Sequence, residues 1–148
     1  MEILKFCLVV LFTIVGMEAF SWFIHKYLFH GPLWFIHKTH HVHNTKSFLE
    51  WNDIFSLAFA VLSIYLMING HQSLSYSFWI GIGISIYGII YFVLHDWITH
   101  GRLRPIKLTS TYVKAIIRAH KIHHKSIHKH PSVEFGLLFS KKYLGNKR

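Results

Sequence analysis

At 148 residues, 52% of them apolar and 17% aromatic, the chain reads as one domain too rich in apolar sequence for a small soluble fold. Its formal charge of +10 could suggest nucleic acid, but no nucleic-acid motif is present, and twelve of the sixteen Lys and Arg lie beyond His100, which suits a membrane-facing protein better. The single cysteine, Cys7, excludes an internal disulfide and a cysteine-built zinc site.

Residues Ile3 to Phe23 have the length of a bilayer-crossing helix, ~20 residues. Lys5 stands near its start and Trp22 and Tyr27 near its end, where interfacial anchors are found. The run is too long for a signal peptide, and no small-residue cleavage site follows it. Glu18 interrupts it. An ionisable residue inside a membrane helix is costly and marks a functional candidate. Glu18 precedes His25 by seven residues, which puts the two on one helix face to within about 20°. Gly31-Pro32 then breaks the helix.

A polar segment from Leu33 to Glu50 follows, and Asn52 or Asp53 is the expected N-cap of a second membrane helix at about 53–69. Asn69-Gly70 marks a turn. A third membrane helix is expected at about 76–94, with Gly81, Gly83, Ser85 and Gly88 permitting close packing. Thr111 to Ser126 reads as an amphipathic helix, 133–139 as an apolar stretch too short to span, and Lys141 to Arg148 as a frayed basic tail. The expectation is an all-α membrane bundle, one domain over 1–148, with about three to four membrane helices and a histidine-rich helical cap. Lys26, Lys38 and Lys46 follow the first helix and the basic segment follows the third, whereas the 69–75 turn has no Lys or Arg. The positive-inside rule therefore places the histidine-bearing segments together on the cytoplasmic side.

Ten of the fourteen histidines fall into four boxes, in the order HX4H (His25, His30), HX2HH (His37, His40, His41), HX4H (His95, His100) and HX2HH (His120, His123, His124). The HX2HH spacing puts three imidazoles on one helical face, where they can converge on metal. The HX4H spacing separates its pair by about 140° on an ideal α-helix. Either the helix loosens there, beside Gly31 and Gly101, or the two histidines serve different ions or different sides of one pocket. Ten ligands exceed the needs of one ion, whereas two octahedral ions offer about twelve positions. Imidazole suits Fe, Zn, Cu and Ni, so ligand type alone leaves the metal open. Each ligand's second ring nitrogen needs a partner. Asp53, Asp96 and Glu134 are carboxylate candidates, Asn52 a neutral one, and Glu18 a further residue for this outer role. His43, His71, His128 and His130 fit no box and are expected not to bind metal. HExxH and CxxCH motifs are absent.

The chain resembles the membrane fatty acid hydroxylase and sterol desaturase superfamily, and more narrowly its bacterial β-carotene 3-hydroxylase branch. The resemblance is carried by Gly16-Met17-Glu18, His25-Lys26-Tyr27 to His30-Gly31, His37 to His41, Asn52-Asp53, Tyr87-Gly88 to His95-Asp96, His100, Arg118-Ala119-His120 to His124, and Phe135-Gly136. It departs from the pattern mainly at 42–46 and 125–131. The resemblance implies a non-haem di-iron centre held by the ten box histidines, O2 as co-substrate, and electrons from a ferredoxin-type or NAD(P)H-linked donor. It implies hydroxylation at C3 of β-ionone rings, taking β-carotene through β-cryptoxanthin to zeaxanthin, with substrate reached from membrane lipid. The alternatives are a hydroxylase or desaturase of a sterol or acyl chain, and a membrane carrier of metal or haem.

Overall fold

The computed structural model describes residues 2–42, 49–129 and 133–139, and among these every regular element is helical. Helix α1, Glu2–Phe23, runs unbroken into a π-helical stretch, Ile24–Phe29. Helices α2, Trp34–His41, and α3, Asp53–Gly70, follow. Helix α4, Tyr76–Tyr91, likewise continues as a π-helix, Phe92–Thr99, and α5 spans Thr111–His123. Three helices are long and apolar enough to cross a membrane: Glu2–Phe29, Asp53–Gly70 and Tyr76–Thr99. The shortest has 18 residues, about 27 Å at helical rise, close to the ~30 Å hydrocarbon thickness. The first and third extend beyond the expected ends because the HX4H boxes stay helical.

Helix α4 is the centre of the bundle and packs against both α1 and α3. Two glycines on opposite faces make this possible. A Cβ on Gly81 would lie 2.8 Å from the Ser63 carbonyl oxygen of α3, and one on Gly83 would lie 2.6 Å from Thr13 Cβ of α1. Ser63 completes the α3–α4 seam by donating to the Gly81 carbonyl at 2.7 Å, with Ser85 Oγ 2.6 Å away. Gly88, expected to serve packing, has open space beside it instead.

Between α1 and α3 the described backbones do not pack against each other, and aromatic side chains bridge the gap. Phe20 of α1 meets Phe59, with centroids 6.0 Å apart, and Phe29 of the π-helical continuation meets Phe55, at 4.3 Å. The apolar faces are turned outward: Ile3, Leu11, Phe12 and Val15 of α1 and Leu57, Val61 and Ile64 of α3 are exposed, as lipid-facing residues are. The buried interior mixes apolar residues such as Ile84, Ile116 and Leu137 with many polar ones, and its largest fully buried side chains are His30, His40 and His123.

Local details differ from expectation. Asn52 precedes α3 but its side chain does not cap it. Ser110 caps α5, accepting from Val113 N–H, and α5 ends at His123 rather than Ser126. Residues 133–139 form an irregular strap with Leu137 buried. His43, Lys46, His130 and the basic tail lie outside the described residues.

Candidate metal centre

Both HX4H boxes sit in π-helical turns. His30 N–H donates to the His25 carbonyl at 3.1 Å, and His100 N–H to the His95 carbonyl at 3.0 Å. An i→i+5 ladder brings residues five apart onto nearly the same face, so the helix loosens and each pair converges. The glycines that follow allow this. A side chain on Gly31 would collide with the Tyr27 carbonyl, and Gly101 has φ +67°, a left-handed backbone that glycine adopts without strain.

The ten box histidines gather into two groups of five: His25, His30, His37, His41 and His123, and His40, His95, His100, His120 and His124. Within each group the five ligand atoms lie within 4.8 Å of one another. Each HX4H pair stays together, but each HX2HH box is split. In the first, His37 and His41 serve one group and His40 the other; in the second, His120 and His124 serve one and His123 the other. One helical stripe thus feeds two groups, because i and i+4 stack while i+3 lies to one side.

Seven of the ten have a hydrogen-bond acceptor identified at Nδ1. In the first group His25 donates to the Phe135 carbonyl (2.9 Å), His30 to Lys129 (3.0 Å), His41 to Ser126 (2.9 Å) and His123 to Val133 (2.8 Å), while His37 donates to Asn52 Oδ1 (2.9 Å). In the second group His40 donates to Glu50 Oε2 (2.7 Å) and His95 to Asp96 Oδ1 (2.8 Å). Placing the proton on Nδ1 leaves Nε2 a bare lone pair. Those Nε2 atoms face each other: His25–His37 at 3.1 Å, His30–His123 at 3.1 Å, His37–His41 at 3.2 Å and His40–His95 at 3.0 Å. Two lone pairs cannot share a hydrogen bond, so such contacts suit a cation placed between them.

The spacings fit that cation. Donors at right angles about an ion with bonds of about 2.1 Å lie about 3.0 Å apart, and tetrahedral donors about 3.4 Å. The observed edges match the former, as does His100–His120 at 3.1 Å. His124 Nε2 is buried without any hydrogen-bond partner among the described residues. Burial, the largest cause, also keeps these rings neutral. It holds His37 down to about 2, His123 to about 3 and His41 to about 4, and lowers His40, His120 and His124 as well. Neutral imidazole is the form that binds metal.

The other candidates are placed as follows. Asn52 and Asp96 each meet a histidine directly. Asp53 does not: it forms a two-pronged pair with Arg102 at 2.8 and 2.9 Å and accepts from Glu50 N–H. Glu18 bonds to Tyr87 and to the strap rather than to an imidazole. Glu134 has a left-handed backbone, φ 61°, between the two strap carbonyls that meet His123 and His25. His71 and His128 are exposed, away from both groups. Sequence reasoning missed Glu50, which has no box spacing, and Arg102, which it treated only as membrane-facing charge. Arg102 lies 3.5 Å from Glu50 and 3.8 Å from Asp96. Main-chain acceptors carry no side-chain signal at all.

Two cavities meet at the site. A cavity of about 230 Å³ lies between α1, α3 and α4, lined by apolar residues including Met17, Phe20, Phe55, Phe59 and Ile84 together with Asn52, Tyr91 and Asp96. A smaller one, about 40 Å³, touches His25 and His37 of one group and His95 and His120 of the other. Ser21, Phe29 and Tyr91 line both. Tyr91 OH is 3.4 Å from His95 Nε2.

The sequence profile described as "Fatty acid hydroxylase" matches residues 10–141. Similar proteins include the β-carotene hydroxylase of Pantoea ananas, 37% identical over 90% of this chain and 76% of that protein. The β-carotene hydroxylase of Paracoccus sp. (strain N81106 / MBIC 01143) is 35% identical over 90% of this chain and 83% of its own length. Chloroplastic β-carotene hydroxylase 2 of Capsicum annuum is 34% identical over 88% of this chain, which covers 43% of that longer protein. No solved structure matches the chain.

Proposed function

The chain belongs to the fatty acid hydroxylase family and is an enzyme, and from that premise we propose that it hydroxylates carotenoids at C3 of the β-ionone ring. One observation carries this reading most: two groups of five histidine lone pairs border a small cavity that shares Ser21, Phe29 and Tyr91 with an apolar cleft between membrane-length helices. The ten box histidines would hold two iron ions, five to each. When bound, the irons supply the redox chemistry that lets O2 attack an unactivated C–H bond, which side-chain acids and bases cannot do.

The reaction balances as R–H, O2, two electrons and two protons giving R–OH and water. The electrons come from a ferredoxin-type or NAD(P)H-linked donor. The exposed Arg104, Lys107, Lys114, Arg118, Lys121 and Lys125 give an acidic donor protein a complementary surface. By the distribution of Lys and Arg, the site and this surface face the cytoplasm.

The chain's own residues position the substrate. Met17, Phe20, Phe55, Phe59 and Ile84 make a slot for a hydrocarbon ring, entered from the bilayer between α1 and α3, where only side chains meet. The small cavity between the histidine groups has room for a molecule the size of water or O2. A carotenoid is about as long as the bilayer is thick, ~30 Å, so one ring end reaches the site at a time while the rest of the molecule stays in lipid. The second ring then needs release and rebinding, or reorientation, with β-cryptoxanthin as the intermediate and zeaxanthin as the product.

Expression in a host that makes β-carotene, followed by pigment analysis, tests this. β-Cryptoxanthin and then zeaxanthin are expected. Unchanged β-carotene, with the protein metallated and a donor present, would overturn the substrate assignment in favour of a sterol or acyl chain. Doubly hydroxylated product in a single turnover, with no mono-hydroxylated species, would overturn the two-event order.

A further inference from the structure

Glu18 is a carboxylate inside a membrane helix, and the reaction proposed above makes no use of it. It is half-buried, five residues before the end of α1. One oxygen, Oε1, accepts from three successive backbone N–H groups of the strap: Leu137 at 3.0 Å, Leu138 at 2.8 Å and Phe139 at 3.3 Å. The other, Oε2, accepts from Tyr87 OH of α4 at 2.9 Å. Successive N–H groups closing on one anion form a concave cradle. Four hydrogen bonds offset the cost of holding the charge at this depth.

The strap so held is the one that supplies acceptors to the site. Its Phe135 carbonyl receives His25 Nδ1–H and its Val133 carbonyl receives His123 Nδ1–H. These are two of the five histidines in one group. The two acceptors identified in the other group, Glu50 and Asp96, come from different parts of the chain. Gly136 lies between the acceptor and the clasped residues. A Cβ there would stand 2.8 Å from the Phe139 carbonyl and 3.2 Å from Glu18 Oε1, so the strap can seat on Glu18 only if this position lacks a side chain. Besides the clasp, Tyr112 OH of α5 donates to the Leu138 carbonyl at 2.7 Å.

We propose that Glu18, with Tyr87, is a positioning residue that clasps residues 137–139 and so aims His25 and His123 into their group, leaving the His40 group untouched. The metal consequence rests on the di-iron reading; the clasp itself does not. Two variants test it from opposite sides. Glu18→Leu removes the acceptor without harming a membrane helix, and Gly136→Ala obstructs the seat without altering α1. Amide exchange at 137–139 in the metal-free full-length protein reads the clasp. Iron per chain, by elemental analysis of protein purified in detergent, reads its effect.

In both variants the three amides are expected to exchange at least tenfold faster, and iron to fall from two per chain to about one. Glu18→Gln, which keeps an oxygen acceptor, is expected to restore most of both readouts. Unchanged exchange in Gly136→Ala, or equal loss of both irons, would overturn the proposal, and Gly136→Ala decides alone if Glu18→Leu fails to insert. A wild-type protein that takes up no iron would sink the di-iron reading instead, and the clasp would then stand or fall on exchange.

Discussion

The two histidine groups have the same ligands but are held by different kinds of partner. The group of His25, His30, His37, His41 and His123 is oriented by four main-chain carbonyls, all from residues 126–135, and by neutral Asn52. In the group of His40, His95, His100, His120 and His124, the two identified acceptors are carboxylates, Glu50 and Asp96, gathered around Arg102. A carboxylate acceptor makes the imidazole it holds more basic and a stronger ligand. A peptide carbonyl fixes the tautomer without adding charge. On these identified partners the two groups differ, and each is expected to fail in its own way. One depends on where the backbone runs, the other on individual acidic side chains.

The largest effect that could break this comparison comes from the split boxes. His40→Ala and His41→Ala remove neighbouring residues that belong to different groups. Each is expected to cut product formation by at least about 100-fold, more than loss of an outer partner. Mössbauer spectra of the purified proteins should show His40→Ala losing the same iron signal as His95→Ala, and His41→Ala losing the other. Identical spectra for His40→Ala and His41→Ala would mean that each box serves one ion.

A smaller effect is expected from the acidic partners. Asp96→Asn or Glu50→Gln should weaken iron at the His40 group by about 10–100-fold in chelator competition, with the His25 group unchanged. Weakening of both irons alike would erase the proposed inequality. The smallest effect belongs to Val133→Ala. Its side chain is exposed and only its carbonyl meets His123, so iron content should stay at the wild-type value and stability within about 0.5 kcal/mol. A marked loss of iron would show that the side chain, not the backbone, does the holding.

Much of this was legible in the linear chain. Run length and apolarity mark three spans, and the box spacings mark ten ligand candidates, because both are local patterns. Asn52 and Asp96 could be named as histidine partners since each stands beside a box or helix start. Glu50 could not, because it lies ten residues from His40 with no box or helix start to link them. Asp53 looked equivalent to Asp96 on paper but is engaged by Arg102, a long-range pairing that no periodicity signals. Glu18 stood out only as an anomaly, since its partners are Tyr87 on another helix and backbone amides about 120 residues away.

By itself, then, the sequence determined that this is a helical membrane protein with a histidine-rich candidate metal site, because hydropathy and spacing act within a few helical turns. The tertiary structure decided how the candidate ligands divide. It loosened both HX4H boxes into π-turns beside Gly31 and Gly101, so each pair converges, and it split both HX2HH boxes between two groups. The physical reason is that a helix face fixes only direction, while the ion a lone pair meets is fixed by what packs opposite it.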